Sequence, residues 1–258
     1  MMLKNEVDEI ARTLMAQHAA GETLVPLHDR IPDYEAAYDV KDAYVALQLQ
    51  AKGASLKGYK IGLTAPAIQQ VMKTTEPTEG EVLSHRVHAS PHHVRLAEFG
   101  HLGLESEICV VLAKDLQADC TVIDVRNSLS AVHAAYELID DRNADYGKMN
   151  AITLIADNSW NAAVVMGAAT PAALMPSKLA ATLSCNGGLL HEANADDFNE
   201  AFGMVIWLAQ HLGKRGKQLK AGQLIMTGNI MPTKFPKAGE TYTFAVQGMA
   251  PVNLEIIA

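Results

Sequence analysis

The chain contains little of what nucleic-acid-binding and membrane proteins require. Aromatic residues make up 5% of its 258 residues, and its formal net charge at pH 7 is −8. Binding of nucleic acid needs a basic surface for the phosphates and often aromatic side chains for the bases, so we expect no nucleic-acid partner. No run reaches the roughly 18 consecutive apolar residues of a membrane-spanning helix, so we expect no membrane partner either.

Cysteine is scarce, and the usual motifs of nucleotide binding are missing. The three cysteines, Cys109, Cys120 and Cys185, show no CxxC spacing, and an odd number cannot all pair within one chain. The N-terminus carries charges every few residues and lacks the apolar run of a signal peptide. Neither GxGxxG nor a P-loop motif occurs, so nucleotide binding loses its usual support. We therefore expect a cytoplasmic protein.

The residues that are present predict helices first and mostly strands afterwards. The segments with the apolar spacing of helices are 5–20, 34–52, 124–132 and 197–212. The clearest strand patterns are 57–63 and 104–112. Asn186-Gly187, between two extended runs, suits the type I′ turn of a hairpin. This order lacks the βαβ alternation of a doubly wound sheet, so the sequence predicts an α+β protein.

Two glutamates lie close together in the otherwise apolar strand LESEICVVL. Alternate residues of a strand point to the same face, so Glu105 and Glu107 lie side by side, about 7 Å apart at Cα. Neighbouring carboxylates repel each other, and burying them is costly unless a cation lies between them. A hard divalent cation with oxygen ligands meets that need. The alternative is a strand with one solvent-facing side, on which these glutamates have no task.

Glu137 and Lys60 are further charged residues inside apolar segments. Glu137 lies in AAYELI and is a candidate third carboxylate; it could equally be exposed, or a partner for Arg142. Lys60 lies in KGYKIGLT, a short strand with a glycine on either side of the lysine. It could meet an anionic substrate or a carboxylate cluster, or be an edge-strand lysine whose stem covers apolar surface.

Five segments, taken in order, resemble one known enzyme family. They are KGYKIGLT, LESEICVVL, AAYELIDDR, IADN and LIMTGN. They are similar to segments of the 2-oxopent-4-enoate (2-hydroxypentadienoate) hydratases and 4-oxalocrotonate decarboxylases. This family belongs to the fumarylacetoacetase superfamily and acts in the degradation of aromatic compounds. The resemblance runs from about Tyr38 to the C-terminus.

The resemblance implies a fold, a metal and a partner. The fold is a helical N-terminal or lid part, here 1–55, followed by a mixed β-roll catalytic domain, here 56–258. The metal is Mg²⁺ or Mn²⁺, and its implied ligands are Glu105, Glu107 and Glu137. Lys60 matches the active-site lysine. The resemblance also implies a homo-oligomer and a small-molecule 2-oxo acid substrate.

The chain departs from the family where an aspartate, the family's proposed general acid/base, would stand. The segment here is Pro77-Thr78-Glu79-Gly80, so Thr78 takes that place and Glu79 follows one residue later. A shift of one residue along an extended segment turns the side chain to the other face, so Glu79 replaces the aspartate only if the loop is rearranged. Glu79 is our candidate catalytic acid, and Thr78 is a candidate substrate-binding residue. We expect slow hydration as a result.

The other candidate substrate-binding residues follow the IADN and LIMT segments. Ser159 and Trp160 replace the family's usual small residues, and Trp160 is expected to narrow the pocket. Thr227 and Gly228 close a strand; they are either ordinary core or, as the resemblance implies, a turn whose backbone groups meet the substrate carboxylate.

Five histidines fall within 17 residues, namely His85, His88, His92, His93 and His101. No cysteine is near, and the spacing matches no familiar zinc pattern, so a polar loop or surface cluster is the better interpretation. A histidine that transfers protons in place of the missing aspartate stays an alternative.

The sequence thus predicts a divalent-metal-dependent lyase acting on a small 2-oxo or 2-hydroxydienoic acid. A hydratase of the 2-oxopent-4-enoate type is favoured. A decarboxylase of the 4-oxalocrotonate type shares the metal chemistry and differs in its proton-transfer groups. Alternatives of another class are an acylpyruvate C–C hydrolase and an inactive homologue that binds a small acid.

Overall fold

The structure is a computed structural model and describes residues 2–258. The α-helices within that range are Lys4–Ala19 (α1), Tyr34–Lys52 (α2), Pro66–Val71 (α3), Val122–Ser128 (α4), Ala151–Ala156 (α5) and Asn199–Lys214 (α6). The strands are Leu56–Gly62 (β1), Thr78–Leu83 (β2), Val87–Ala89 (β3), His92–Arg95 (β4), Leu102–Leu112 (β5), Leu129–Asp140 (β6), Asn161–Met166 (β7), Thr170–Pro171 (β8), Leu179–Cys185 (β9), Gly188–Ala195 (β10), Leu224–Asn229 (β11), Thr241–Val246 (β12) and Val252–Ile257 (β13). Helices followed mainly by strands confirm the predicted α+β class.

The strands form two mixed sheets. The larger has the order β2-β1-β11-β5-β6-β7-β3, with β8 paired to β6, and the smaller has the order β10-β9-β12-β13-β4. The two longest strands, β5 and β6, are antiparallel neighbours at the centre of the larger sheet. The apolar side chains on one face of β5 and β6 pack against α6 and the smaller sheet, and together these form the main hydrophobic core.

A second hydrophobic core joins the N-terminal helices to later parts of the chain. Ile10 and Leu14 of α1 and Tyr44 of α2 share it with Leu154 of α5 and with Trp160. Helix α2 begins at a position set by Asp33, whose side chain accepts a hydrogen bond from the N–H of Ala36 at 2.8 Å. The first 55 residues therefore pack on the β-rich part, and the division at 55/56 stays a prediction.

Of the predicted local elements, the Asn186-Gly187 hairpin is confirmed and the helix over 124–132 is partly wrong. Asn186 and Gly187 have φ of +50° and +78°, and they join β9 to β10 as the predicted hairpin. The helix predicted over 124–132 ends at Ser128 instead. From Leu129 onward the chain pairs with β5 along eleven registered positions, and that pairing outweighs local helix propensity. Within residues 2–258, no helix combines the length and apolar character needed to cross a membrane.

Candidate active site

Three glutamates converge on one face of the larger sheet. Glu105 and Glu107 point to the same side of β5, and β6 places Glu137 directly opposite Glu105. One carboxylate oxygen from each lies within 4.8 Å of the others. Glu107 and Glu137 are fully buried and Glu105 is half-buried. Like charges directly across a strand pair destabilise a sheet, so this arrangement requires a compensating cation.

Each glutamate of the cluster accepts a hydrogen bond that fixes its carboxylate. The donors are Thr233 Oγ1 to Glu105 at 3.0 Å, the Gly228 N–H to Glu107 at 2.8 Å and Asn161 Nδ2 to Glu137 at 2.8 Å. The other oxygens of Glu107 and Glu137 are buried and have no hydrogen-bond partner. Buried carboxylate oxygens in native proteins are normally satisfied. The two free oxygens, held by oriented donors behind them, fit a divalent cation.

Lys60 is the cationic side chain beside the cluster. It lies on β1, is buried, and its Nζ is 3.3 Å from Glu137 Oε1. Three carboxylates and one ammonium leave a charge of −2, which a divalent cation balances. Burial alone would lower the pKa of Lys60, but the attraction of Glu137, Glu105 and Glu107 outweighs burial and raises it. Burial, followed by repulsion from Glu137 and Glu105, raises the pKa of Glu107 well above its usual range.

An open cleft of about 980 Å³ lies beside the cluster. The larger sheet and the segment after β11 supply its polar side, which includes Lys60, Glu105, Asn229 and Thr233. Helices α3 and α5 contribute apolar residues to its lining. Cavities of this size, with a few convergent polar groups, are typical of small-molecule sites. The carboxylate cluster therefore borders a cleft that a small acid can enter.

A left-handed turn forms one wall of this cleft. Asn158, Ser159 and Trp160 have φ of +53°, +51° and +60°, a conformation that non-glycine residues adopt rarely and at a cost. The Asn158 side chain exchanges two hydrogen bonds with the backbone of Glu81, at 2.7 and 2.9 Å. Ser159 Oγ donates to the carbonyl of Glu79 at 2.9 Å. These contacts hold the turn against β2 and place Ser159 and Trp160 in the cleft wall.

The structure separates Thr78 from Glu79. A Cβ built on Gly62 would lie 3.0 Å from Lys60 Nζ and 3.2 Å from Thr78 Oγ1, so Thr78 is on the same face as Lys60. Glu79 pairs across the strands with Ile61 and points to the other face, where its carboxylate lies 2.6 Å from Lys41 Nζ. The two-residue period of a strand thus turns Glu79 away from the cluster. The catalytic role of Glu79 stays a prediction, and its carboxylate lies on the face opposite Lys60.

Glu79 belongs instead to a buried ion network beneath α2. Lys41 is fully buried and contacts Glu79, Glu81 (3.3 Å) and Asp42 (2.9 Å). Burial alone would lower the pKa of Lys41, but attraction by Glu79, Glu81 and Asp42 outweighs burial and raises it. The network ties the N-terminal helices to β2.

Replacing Lys41 with methionine is expected to destabilise the protein by about 3–5 kcal/mol, because it leaves Glu79 buried and unpaired. Urea unfolding followed by circular dichroism measures this loss. In the double variant with Glu79→Leu most of the stability should return, since a buried ion pair can be replaced by apolar side chains. A loss below about 1 kcal/mol in the single variant would show that the network is not stabilising.

Thr227 and Gly228 lie on β11 next to the cluster and make hydrogen bonds within the protein. The Thr227 hydroxyl donates to the carbonyl of Ile108 at 2.8 Å, so it is used within the sheet. Gly228 has a φ of +103°, and a Cβ there would approach Thr64 Cγ2 to 2.5 Å, so the position requires glycine. Its N–H is the group that holds Glu107. Neither residue borders the cleft in the described structure, so their substrate-binding role stays a prediction.

His101 and Asp141 form a pair in the cleft that the sequence did not indicate as a unit. His101 Nδ1 is 2.8 Å from Asp141 Oδ1, and the His101 ring stacks on Phe235 with centroids 4.5 Å apart. Tyr146 Oη donates to the second oxygen of Asp141 at 3.0 Å. Of the five clustered histidines, His101 alone borders this cleft in the part of the chain described. Forty residues separate the two partners, so no local pattern could have revealed the pair.

Comparisons with known proteins place the chain among hydratases. It is 30% identical over 256 residues to a 2-keto-4-pentenoate hydratase of Burkholderia vietnamiensis, covering 96% of this chain and 97% of the relative. It is 31% identical over 235 residues to a 2-oxo-hept-4-ene-1,7-dioate hydratase of Escherichia coli, covering 86% of each. No family model matches the chain.

Solved structures show the same fold. The 4-oxalocrotonate decarboxylase of Pseudomonas putida G7, in complex with magnesium and adipate, superposes with a TM-score of 0.91 at 24% identity, over 100% of this chain and 99% of that one. A fumarylpyruvate hydrolase of Pseudomonas aeruginosa, in complex with Mn²⁺ and pyruvate, gives a TM-score of 0.60 at 15% identity, over 77% and 88%. With the full-length sequence relatives, this shows that the chain is a lyase-type enzyme of the 2-keto-4-pentenoate hydratase family, with the fold of the fumarylacetoacetase superfamily.

Proposed function

We propose that this enzyme binds Mg²⁺ or Mn²⁺ through Glu105, Glu107 and Glu137 and hydrates a 2-hydroxydienoic acid of the 2-oxopent-4-enoate type. The observation that carries the proposal is the convergence of three carboxylates, two of them with free buried oxygens, beside an open cleft. The hydratases among the relatives support the reaction type. Degradation of aromatic compounds is the proposed setting.

The proposed reaction needs both a divalent cation and side chains of this protein. A divalent cation, when bound, is a Lewis acid for the adjacent oxygens of a 2-oxo acid. Lys60 carries a positive charge beside the cluster and can donate a hydrogen bond or a proton from Nζ. Thr78 and Ser159 offer hydroxyl groups, 3.3 Å apart, near that ammonium. The buried strands around the cluster lower the local dielectric constant and strengthen these interactions.

The test is a comparison of three substrates with Mg²⁺ present. Steady-state rates are measured with 2-hydroxypentadienoate, 4-oxalocrotonate and an acylpyruvate. We expect hydration of the dienoate to give the highest kcat/KM. Faster loss of CO₂ from 4-oxalocrotonate would assign the decarboxylase reaction to the same site, and no turnover of any substrate would indicate a homologue that only binds small acids.

Thr78→Asp is expected to raise the rate of water addition by about 10²-fold or more. A hydroxyl beside Lys60 can donate a hydrogen bond but cannot exchange a proton near neutral pH as a carboxylate does, and general acid–base help is typically worth about 10²–10⁴-fold. Ketonisation of the dienol, which depends less on that group, should change little. The two steps are followed separately by dienol absorbance and by product chromatography. Unchanged hydration in the variant would show that another group transfers the proton.

C–C bond hydrolysis is a second candidate, and the His101–Asp141 pair favours it. Hydrolysis needs a water activated by a base, and a histidine oriented by a buried carboxylate is a common base. The acylpyruvate assay in the same panel tests this candidate.

The assembly and location of the enzyme remain predictions. The resemblance to the family supports a homo-oligomer, and the cytoplasmic location stays a prediction.

A further inference from the structure

The cleft is larger than a five-carbon acid needs. Its volume of about 980 Å³ is at the upper end of the roughly 300–1,000 Å³ typical of pockets that hold drug-sized ligands. A 2-oxopent-4-enoate bound at the carboxylate cluster would leave most of this space unused. The remaining space is therefore available to a substituent on the distal end of the substrate.

Part of the cleft lining is apolar. It is formed by Leu63, Ile68, Met72, Ala144, Leu154 and Trp160. Five of these belong to the buried N-terminal core and the sixth, Ile68, is half-buried against it, so the wall is a packed surface. Removing an apolar substituent from water against such a surface is worth roughly 25 cal/mol per Å² buried.

Trp160 is held in this wall by constraints on both its backbone and its ring. Its left-handed backbone is fixed to β2 through Asn158 and Ser159. Its ring is buried and packs edge-on against Tyr146, with centroids 5.4 Å apart. A rigid aromatic ring can pack against an apolar substituent of the substrate, but it cannot easily move to accommodate a charged substituent.

The cleft has no free positive charge for a second carboxylate. Among the cleft-lining residues of the described chain, Lys60 and His101 alone can carry positive charge. Lys60 is already paired with Glu137 and attracted by Glu105 and Glu107. His101 is already paired with Asp141 at 2.8 Å. The remaining charged groups, Glu105 and Asp141, are negative and would repel a distal carboxylate. Burying a carboxylate without a partner is expensive.

From this wall and these charges we infer that the enzyme selects substrates with one carboxylate and an apolar distal substituent, for which Ile68, Leu154 and Trp160 form the binding wall. The inference rests on the proposed function. It separates the chain from relatives named for diacids, such as the 2-oxo-hept-4-ene-1,7-dioate hydratase.

The test compares three dienoates with Mg²⁺: 2-hydroxypenta-2,4-dienoate, its 5-propyl derivative and the dicarboxylate 2-hydroxymuconate. We expect kcat/KM for the propyl compound to exceed that for the parent by about 10-fold or more, since even one well-placed methylene contributes a factor of about ten or above. The dicarboxylate should be the poorest substrate. Equal or better use of the parent or of the dicarboxylate would overturn the inference while leaving the proposed function in place. No turnover of any dienoate would refute the proposed function itself.

A pair of variants on α3 tests the wall directly. Ile68→Arg places a cation at the apolar end and should lower the propyl-to-muconate ratio of kcat/KM by about 100-fold. Val71→Arg, on the same helix but exposed and outside the cleft, is the matched control and should leave the ratio unchanged. Ile68→Ala, which adds no charge, should lower the preference for the propyl compound by about 10-fold. Unchanged ratios in both Ile68 variants would overturn the inference.

Discussion

Replacing Glu107 with glutamine is expected to lower metal-dependent kcat by at least about 10³-fold. Glutamine has nearly the same shape, and its carbonyl can still accept the hydrogen bond from Gly228, but it removes one of the two free anionic oxygens. Loss of several kcal/mol of charge stabilisation corresponds to this factor, at about 1.4 kcal/mol for each tenfold. Calorimetric titration with Mg²⁺ and steady-state rates measure the two consequences.

The fold of this variant should persist. The amide removes a source of repulsion among three neighbouring carboxylates, two of them buried, so the midpoint of thermal unfolding without metal should stay the same or rise. Glu192→Gln, at an exposed position on β10, is the matched control and should change neither metal binding nor rate. A Glu107→Gln enzyme with activity within about tenfold of the parent would remove Glu107 from the site.

Replacing Lys60 with methionine should separate catalysis from metal binding. We expect kcat to fall by about 10²–10⁴-fold, the range associated with loss of a proton-transferring group. Mg²⁺ affinity should be kept or increased, because Lys60 competes with the metal for the charge of Glu137 at 3.3 Å. Methionine preserves most of the apolar stem that crosses the strand.

The control for this prediction is Lys57→Met on the same strand. Lys57 is exposed and lies three residues from Lys60, so its replacement should leave rate and metal affinity unchanged. If Lys60→Met instead lost metal binding in parallel with rate, Lys60 would act only by maintaining the cluster.

The sequence alone predicted much of the cluster for physical reasons. The alternation of LESEICVVL places Glu105 and Glu107 on one face whatever the rest of the fold does. Glu137 was different, because its position opposite Glu105 depends on the register between two strands some thirty residues apart. Only the family resemblance indicated Glu137 as a third ligand, and the structure brings it beside Glu105 and Glu107.

Strand periodicity also explains why the sequence predicted that Thr78 and Glu79 lie on opposite faces. A one-residue shift predicts opposite faces, and the structure places Glu79 against Lys41 and Thr78 beside Lys60. The buried lysine itself was not predicted, since Lys41 lies in a helical pattern that gives no sign of a charged partner.

Other parts of the site depend on contacts between distant segments. Three successive left-handed residues, Asn158 to Trp160, contradict local preference and are held by hydrogen bonds to β2. His101 was predicted to lie in a polar or surface cluster, but Asp141 and Phe235 draw it into the cleft. Such features arise from tertiary packing, which composition and spacing do not encode.

Crystals soaked in Mn²⁺ and measured at an energy sensitive to manganese test the central claim most directly. We expect one strong anomalous peak per chain, within about 2.0–2.6 Å of carboxylate oxygens from Glu105, Glu107 and Glu137. The peak should disappear in Glu107→Gln crystals treated identically. A peak at another place in the protein, or none at saturating Mn²⁺, would contradict the assignment of these three glutamates as the metal site.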